Sequence, residues 1–269
     1  MSGAMNAAEP QNIGDQNSAT QDGEGLSPES VAVAARLAES YRVSPLDLVP
    51  NPSPLLLEST EEVAVPTPNG LFGLRAWRFA DGAEHLSIRA LDRDGTPVPY
   101  EKGNGERADE HSESGGVPAV RIHSECATGD IFGSFRCDCG PQLENGLRII
   151  SRAGGYLVYV RNHEGRGIGL VNKLRAYALQ DAGLDTLDAN LALGLDGDMR
   201  DYAQAAMILQ ELGVHEMRLV TNNPAKQEAL ESLGLRVTEL IPDEIPARVE
   251  NAHYLQTKRE RMRHKLERA

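Results

Sequence analysis

The sequence predicts an α/β fold, a mixed and partly parallel sheet covered by helices, on three observations. Between residues 62 and 101, short runs of alternating apolar residues follow one another, each bounded by Gly, Pro or Asp. From residue 117 onward similar runs alternate with amphipathic segments of helical length, and such spacing demands crossover connections between parallel strands. Finally, 40% hydrophobic and 4% aromatic residues in a chain of 269 permit an ordinary globular core, in one large or two small domains.

Taken in order, residues 1 to 26 are rich in Gly, Asn, Gln, Asp and Ser and carry almost no apolar periodicity, so a disordered tail is expected. Ser27 can cap a short helix with Pro28 at its first position, and Val31, Ala35, Leu37 and Ala38 give it a modest apolar stripe up to Tyr41. Pro45, Pro50, Pro52 and Pro54 make the following segment a linker. The boundary is therefore expected at 62, with residues 1–61 as tail, short helix and Pro-rich linker and 62–269 as the main domain.

VAVPTP, GLFGLRAWRF and EHLSIRALD read as strands, and the polar stretch from Lys102 to Gly116 reads as a surface loop. Beyond it, VPAVRIHSE, GYLVYVR, EMRLVT and LRVTEL read as strands. QLENGLRIISRAG, IGLVNKLRAYALQDAG, DYAQAAMILQELG and NPAKQEALESLG read as helices, the last closed by a C-cap glycine. A charged helix is expected from Tyr254 to the C-terminus.

Bulk properties narrow the partners. A formal net charge of −13 opposes binding to nucleic-acid polymers, whereas a small anion needs only a local basic patch. No run approaches the roughly 20 apolar residues needed to cross a bilayer, and the N-terminus has neither a basic nor an apolar signal region. A cytoplasmic protein without membrane contact is expected.

The only three cysteines, Cys126, Cys137 and Cys139, fall within RIHSECATGDIFGSFRCDCGPQLE. An odd number of thiols without a secretory signal argues for a metal site rather than disulfides. Structural zinc takes four protein ligands; three ligands and an exchangeable water are the catalytic arrangement. Cys137 and Cys139 flank Asp138, so in an extended segment both sulfurs would face one way. Three buried structural thiols are the bland alternative.

Two strand-to-helix turns suit phosphate. NHEGRGIGLVNK places Gly165, Gly167 and Gly169 before a helix, with Arg161, Arg166 and Lys173 adding charge, although it lacks dinucleotide and P-loop spacing. TNNPAK places Asn223 as cap, Pro224 first, and Lys226 against the helix dipole, which suggests an anionic ligand nearby. DGDMRDY sets three acids and Arg200 before a helix. Each could be an ordinary turn or helix start; together they describe a site.

With these residues in hand, the chain resembles the GTP cyclohydrolase II family, through RIHSECATGDIFGSFRCDCGPQLE, EGRGIGLVNKLRAYALQDAG, DTLDANLALGLDGDMRDY and RLVTNNPAK. The resemblance implies that residues 62–269 are a catalytic domain of that kind. It implies zinc on Cys126, Cys137 and Cys139, and GTP on Arg121, Ile122, His123, Ser124, Glu125, Gln142, Glu164, Gly165, Arg166, Thr186, Thr221 and Lys226. Asp198 corresponds to a proton acceptor, Arg200 to an assigned nucleophile and Tyr177 to an active-site tyrosine. The implied reaction takes GTP and water to 2,5-diamino-6-(5-phosphoribosylamino)pyrimidin-4(3H)-one, formate and pyrophosphate, the first step of riboflavin biosynthesis, with magnesium at the triphosphate and a homodimer as the assembly.

NHEGRG carries one residue more before EGR than the commoner version, as in bifunctional and actinobacterial relatives, and leaves His163 as a plain loop residue or a supporting one. The butanone-phosphate synthase domain of bifunctional relatives is not expected in the about 60 residues ahead of the match. An arginine nucleophile is chemically demanding, because its pKa above about 12 leaves almost no neutral form; a clamp on the transition state explains Arg200 equally well. Two other readings stay open: a secondary-metabolism paralogue that stops at the formylated product, and a non-catalytic zinc-stabilised nucleotide sensor.

Overall fold

The computed structural model describes residues 27–41, 53–101, 116–251, 255, 256 and 259. The expected tail, the linker prolines Pro45, Pro50 and Pro52, residues 102–115 of the expected loop and most of the C-terminal helix lie outside the described residues; Leu255, Gln256 and Arg259 are helical.

One 8-stranded sheet organises the described residues. Its strands are β1 (Leu56–Ser59), β2 (Val63–Thr67), β3 (Gly70–Phe79), β4 (Glu84–Leu91), β5 (Ala119–Ser124), β6 (Gly155–Val160), β7 (Glu216–Val220) and β8 (Arg236–Ile241). They lie in the order β1-β3-β4-β6-β5-β7-β8, with β2 beside β1 on the same edge of β3. The pairs formed by β1 to β4 are antiparallel, as is β4 with β6; β6, β5, β7 and β8 run parallel. The mixed sheet is thus as the sequence predicts. It takes in Leu56–Ser59, ahead of the boundary at 62.

The helices are α1 (Pro28–Ser40), α2 (Cys139–Ala153), α3 (Gly169–Asp181), α4 (Thr186–Ala192), α5 (Ala203–Glu211) and α6 (Pro224–Ser232). Phe79, Val120, Ile122 and Val158 pack with Ile208 and Leu209 of α5 and Leu230 of α6 in one core. Phe72, Ala119 and Leu157 pack with Ile150 and Ala153 of α2 in another. Strand alternation therefore sends Val120 and Ile122 to the α5 and α6 face and Arg121 and His123 to the opposite one, where both polar side chains are buried.

Three local readings change. The buried stripe of α1 is Ala34 with Leu37, Ala38 and Tyr41, which pack with α3 and α4 residues, while Val31 and Ala35 are exposed. The α2 helix starts at Cys139, not Gln142, because Asp138 at φ −103, ψ 7 already turns the chain. The seven-residue α4, unread in the sequence, is started by Asp185, whose carboxylate accepts from the Asp188 N–H. No helix among the described residues is long and apolar enough to cross a membrane.

Candidate active site

The carboxyl ends of β5, β6 and β7 open into one cleft. Beyond β5 a π-helical turn, Ala127–Ile131, swings Cys126 toward Cys137 and Cys139. The thiols converge because of that turn and the bend at Asp138, not through the extended alternation expected of Cys137 and Cys139. Cys126 and Cys137 Sγ are 3.7 Å apart, and all three sulfurs lie within 4.8 Å of one another. A tetrahedral ion with metal–sulfur bonds of about 2.3 Å would hold its sulfurs ~3.8 Å apart, so the donor set fits. Gly129 leaves the room: a Cβ there would stand 2.9 Å from Cys137 Sγ and 3.2 Å from Cys126 Sγ.

Hydrogen bonds from the Cys137 and Cys139 thiols, with the Lys173 ammonium alongside, hold the Cys126 thiol far below its ordinary value against the effect of burial. The Cys126 hydrogen bond pushes Cys137 up to about 11, and Cys139 is raised for the same reason. Cys126 is thus the sulfur that gives up its proton most readily, and a bound cation would release the thiol protons that remain. Among the described residues it is the one group of Cys, His or carboxylate side chains fit for a metal.

Lys173 departs from expectation. Rather than facing the phosphate-suited turn, its Nζ reaches Cys126 Sγ at 3.1 Å, Thr128 Oγ1 at 2.9 Å and Glu164 Oε1 at 2.5 Å. Burial alone would lower its pKa; the Cys126 thiolate, Tyr177 and Glu164 raise it instead. Glu164 Oε2 in turn accepts the Ala127 N–H at 2.6 Å, tying the β6 turn to the β5 turn. Arg161, also expected at the phosphate, is exposed and pairs with Glu84 at 3.6 Å; Arg166 alone of the three faces the cleft in the expected sense. Tyr177, one turn after Lys173 on α3, lies 3.5 Å from Thr128 Oγ1, and burial raises its pKa. Arg136, unread as a site residue, covers the Tyr177 ring at 4.3 Å and pairs with Asp181 at 2.8 Å.

The β6 turn needs left-handed backbone at Asn162 (φ 66), Gly165 (φ 60), Arg166 (φ 69) and Gly167 (φ 89). Glu125 Oε2 accepts the Asn162 N–H at 2.7 Å and steadies the first of these. At Gly167 a Cβ would come within 3.1 Å of the Met199 backbone, so glycine lets the 197–201 loop dock. Met199 N–H donates to the Arg166 carbonyl at 2.9 Å. In that loop Arg200 grips Asp198 through Nε at 2.8 Å and Nη2 at 2.5 Å. Burial would raise the Asp198 pKa, but these hydrogen bonds lower it.

His123 donates from Nε2 to Asp130, 3.1 Å away, which also accepts from Tyr159 OH at 2.8 Å and from Cys126 N at 3.0 Å. Burial lowers the His123 pKa, so the ring is neutral and Nδ1 keeps its lone pair. Arg121 Nη1 lies 2.9 Å from Asp243 Oδ2 and 3.1 Å from the Val220 carbonyl, and its Nη2 reaches Gln142 Oε1 at 3.1 Å. Gln142 donates to Asp138 at 2.8 Å. Lys226, 5% exposed, donates to the Ile122 carbonyl at 2.7 Å, and burial pulls its pKa well down. Thr221 Oγ1 accepts the Asn223 N–H at 3.1 Å, and Thr186, the first residue of α4, lines the cleft.

The sequence-expected residues gather here with two qualifications: the Ile122 side chain belongs to the core, leaving only its backbone at the site, and Asp198 is exposed outside the cleft lining, joined to it through Arg200. Two contributors besides Arg136 were missed. Tyr202 carries Arg200 at 5.9 Å and Lys226 at 5.6 Å over its ring. Asp243, 0% exposed, binds Arg121, takes Asn145 Nδ2 at 2.7 Å, and receives Asn222 Nδ2 at its carbonyl at 2.7 Å. Asp243 lies in an irregular segment without a periodic signal; Tyr202 follows Asp201 in a motif read only for its acids and arginine.

These features define an α/β protein with a metal-competent cysteine centre opening onto a cationic cleft. The family model for GTP cyclohydrolase II matches residues 58–242, and the chain belongs to that family. Riboflavin biosynthesis protein RibBA of Mycobacterium marinum is 49% identical over 211 residues, 78% of this chain and 46% of that protein. RibBA of Rhodococcus jostii is 48% identical over 212 residues, 78% and 47%, and that of Nocardia farcinica 47% over 207 residues, 76% and 45%. The chain thus spans less than half the length of these relatives. RibBX, a two domain 3,4-dihydroxy-2-butanone 4-phosphate synthase from A. baumannii, overlaps 79% of this chain and 43% of its own at 16% identity with a TM-score of 0.32, too slight a likeness to bear on fold or function.

Proposed function

We propose that this chain hydrolyses GTP, opening the imidazole ring at C8 and releasing formate and pyrophosphate to give 2,5-diamino-6-(5-phosphoribosylamino)pyrimidin-4(3H)-one, the first step of riboflavin biosynthesis. The observation that carries this reading is a single cleft lined by a three-thiol metal centre and by Arg121, Arg166, Arg200 and Lys226. Cys126, Cys137 and Cys139 would hold zinc, which when bound supplies Lewis acidity and an activated water beside the purine five-membered ring.

The protein's own groups do the rest. Tyr177 retains its phenolic proton and can donate beside the thiols. Lys226, buried with its charged form disfavoured, and Arg166 suit the phosphates, whose charge would stabilise both as cations; magnesium would share that load. The two-point grip of Asp198 fixes the Arg200 guanidinium as a planar fork, which favours a clamp on the departing phosphate oxygens over nucleophilic attack. The segment Arg121 to Glu125, with Gln142, Glu164, Gly165, Thr186 and Thr221, would seat the nucleotide. A homodimer accounts for Leu170, Val171 and Leu174, exposed on the outer face of α3, and for Ile131, Phe132 and Phe135. Three unpaired thiols suit a reducing cytoplasm.

Zinc-loaded protein incubated with GTP and magnesium, with products identified by mass spectrometry, tests the reading: formate and pyrophosphate in equal amounts are expected. Pyrophosphate without formate would replace it with the formylated-product activity, and GTP binding without turnover with the nucleotide sensor.

A further inference from the structure

His163 is 8% exposed and bonds at both ring nitrogens. Its Nε2 is 2.9 Å from the Asp201 carbonyl oxygen, and its Nδ1 is 3.1 Å from Ser124 Oγ. A carbonyl oxygen only accepts, so Nε2 carries the proton. Burial and the nearby Arg200 charge disfavour the imidazolium, so Nδ1 keeps a lone pair and the Ser124 hydroxyl donates to it. Tyr202 packs edge-on against the imidazole, with centroids 5.5 Å apart at 88°, and holds the ring plane. The two partners belong to different parts of the cleft: Ser124 ends β5, two residues before Cys126, and Asp201 follows Arg200.

We propose that His163 is a positioning residue for the reaction on GTP, with a separate task for each nitrogen. Its Nε2–H anchors the loop of Asp198 and Arg200 through the Asp201 carbonyl. Its Nδ1 accepts the hydrogen bond of the Ser124 hydroxyl, so that Ser124 Oγ faces the cleft only as an acceptor. An acceptor on the cleft wall, two residues before the first thiol, suits an N–H group of the purine and not a phosphate oxygen. The inference rests on the GTP reading above, and names which atom at this position recognises the base.

Two isosteric variants separate the tasks. In His163→Gln the amide nitrogen reaches the Nε2 position and can still donate to Asp201, but nothing accepts from Ser124. In His163→Asn the amide oxygen occupies the Nδ1 position and accepts from Ser124, but nothing reaches Asp201. His163→Gln is expected to raise KM for GTP about tenfold with kcat near wild type, the worth of one hydrogen bond, and His163→Asn to lower kcat about tenfold with KM little changed. Ser124→Ala should match His163→Gln, and the double variant should be no worse than Ser124→Ala alone. Matching zinc content and melting temperature show that the variants are folded. Equal effects of the two variants, or additive effects in the double, would overturn the proposal. Independently of turnover, nitrogen-15 NMR of labelled histidine in the wild-type protein should find His163 protonated at Nε2; protonation at Nδ1 overturns it. Wild-type protein that makes no product from GTP defeats the substrate reading, and the NMR result then still decides the two-sided anchoring.

Discussion

The antiparallel and parallel halves of this sheet share their cores yet divide the work. Strands β1 to β4 supply Phe72, Trp77 and Phe79 to those cores and no residue to the cleft. Strands β5, β6 and β7 supply the cleft from their carboxyl ends, at the point where the order passes from β6 through β5 to β7. The connection after β5 returns on one side and a later one on the other, which opens a crevice there, where ligands of α/β sheets commonly bind. Hairpin connections in the antiparallel half leave no such opening.

The comparison can be broken most severely at the thiols. Cys137→Ser is expected to abolish stoichiometric metal, read by elemental analysis, and to cost on the order of 10³-fold in kcat, since a bound metal ion is worth several kcal/mol to the transition state. Next comes Arg200→Lys, which keeps the charge but loses the planar grip on Asp198; steady-state kinetics should find kcat reduced about 10²-fold with the fold intact. Asp243→Ala leaves the buried Arg121 without its counter-charge and should cost about 3–5 kcal/mol in urea unfolding, with KM raised, whereas Asp243→Asn should recover part of both. In the other half, Phe79→Ala should cost a similar ~3–5 kcal/mol through a core cavity. Its kcat and KM should stay at wild-type values; a kinetic change there would dissolve the distinction between the halves.

The smallest effect concerns acid. Burial, then the Arg200 charge, holds the His163 pKa at about 3 instead of 6.5, so the unfolded chain takes the proton more readily than the native one. Its contribution to stability is whole above pH 6.5 and is lost as pH falls from there toward 3. The stability difference between wild type and His163→Gln, followed by urea midpoints, should therefore narrow across that window.

The parallel half was the more legible of the two at the level of chemistry. Three cysteines without parity, glycines after a strand and a lysine opposing a helix dipole are local signals, and each led to a cleft residue. Lys173 was legible in position, one helical turn before Tyr177, but not in purpose, because only the folded chain shows that Cys126 and Glu164 surround it. Asp243 and Arg136 carried no local mark; their importance arises from partners about 100 and 45 positions away. In the antiparallel half the strands themselves were plain from alternation, while the shared edge of β3 was not, since pairing order is not written in periodicity.

The Asp243 contacts also say where the working unit ends. A chain cut after Ile241 would keep all eight strands of the sheet, every thiol and both strand-to-helix turns, and the family match itself stops at 242. Such a truncated protein would nonetheless leave a guanidinium sealed in the interior with no anion to answer it. The extent of the folded unit is thus set by charge neutrality and runs beyond the last strand of the sheet.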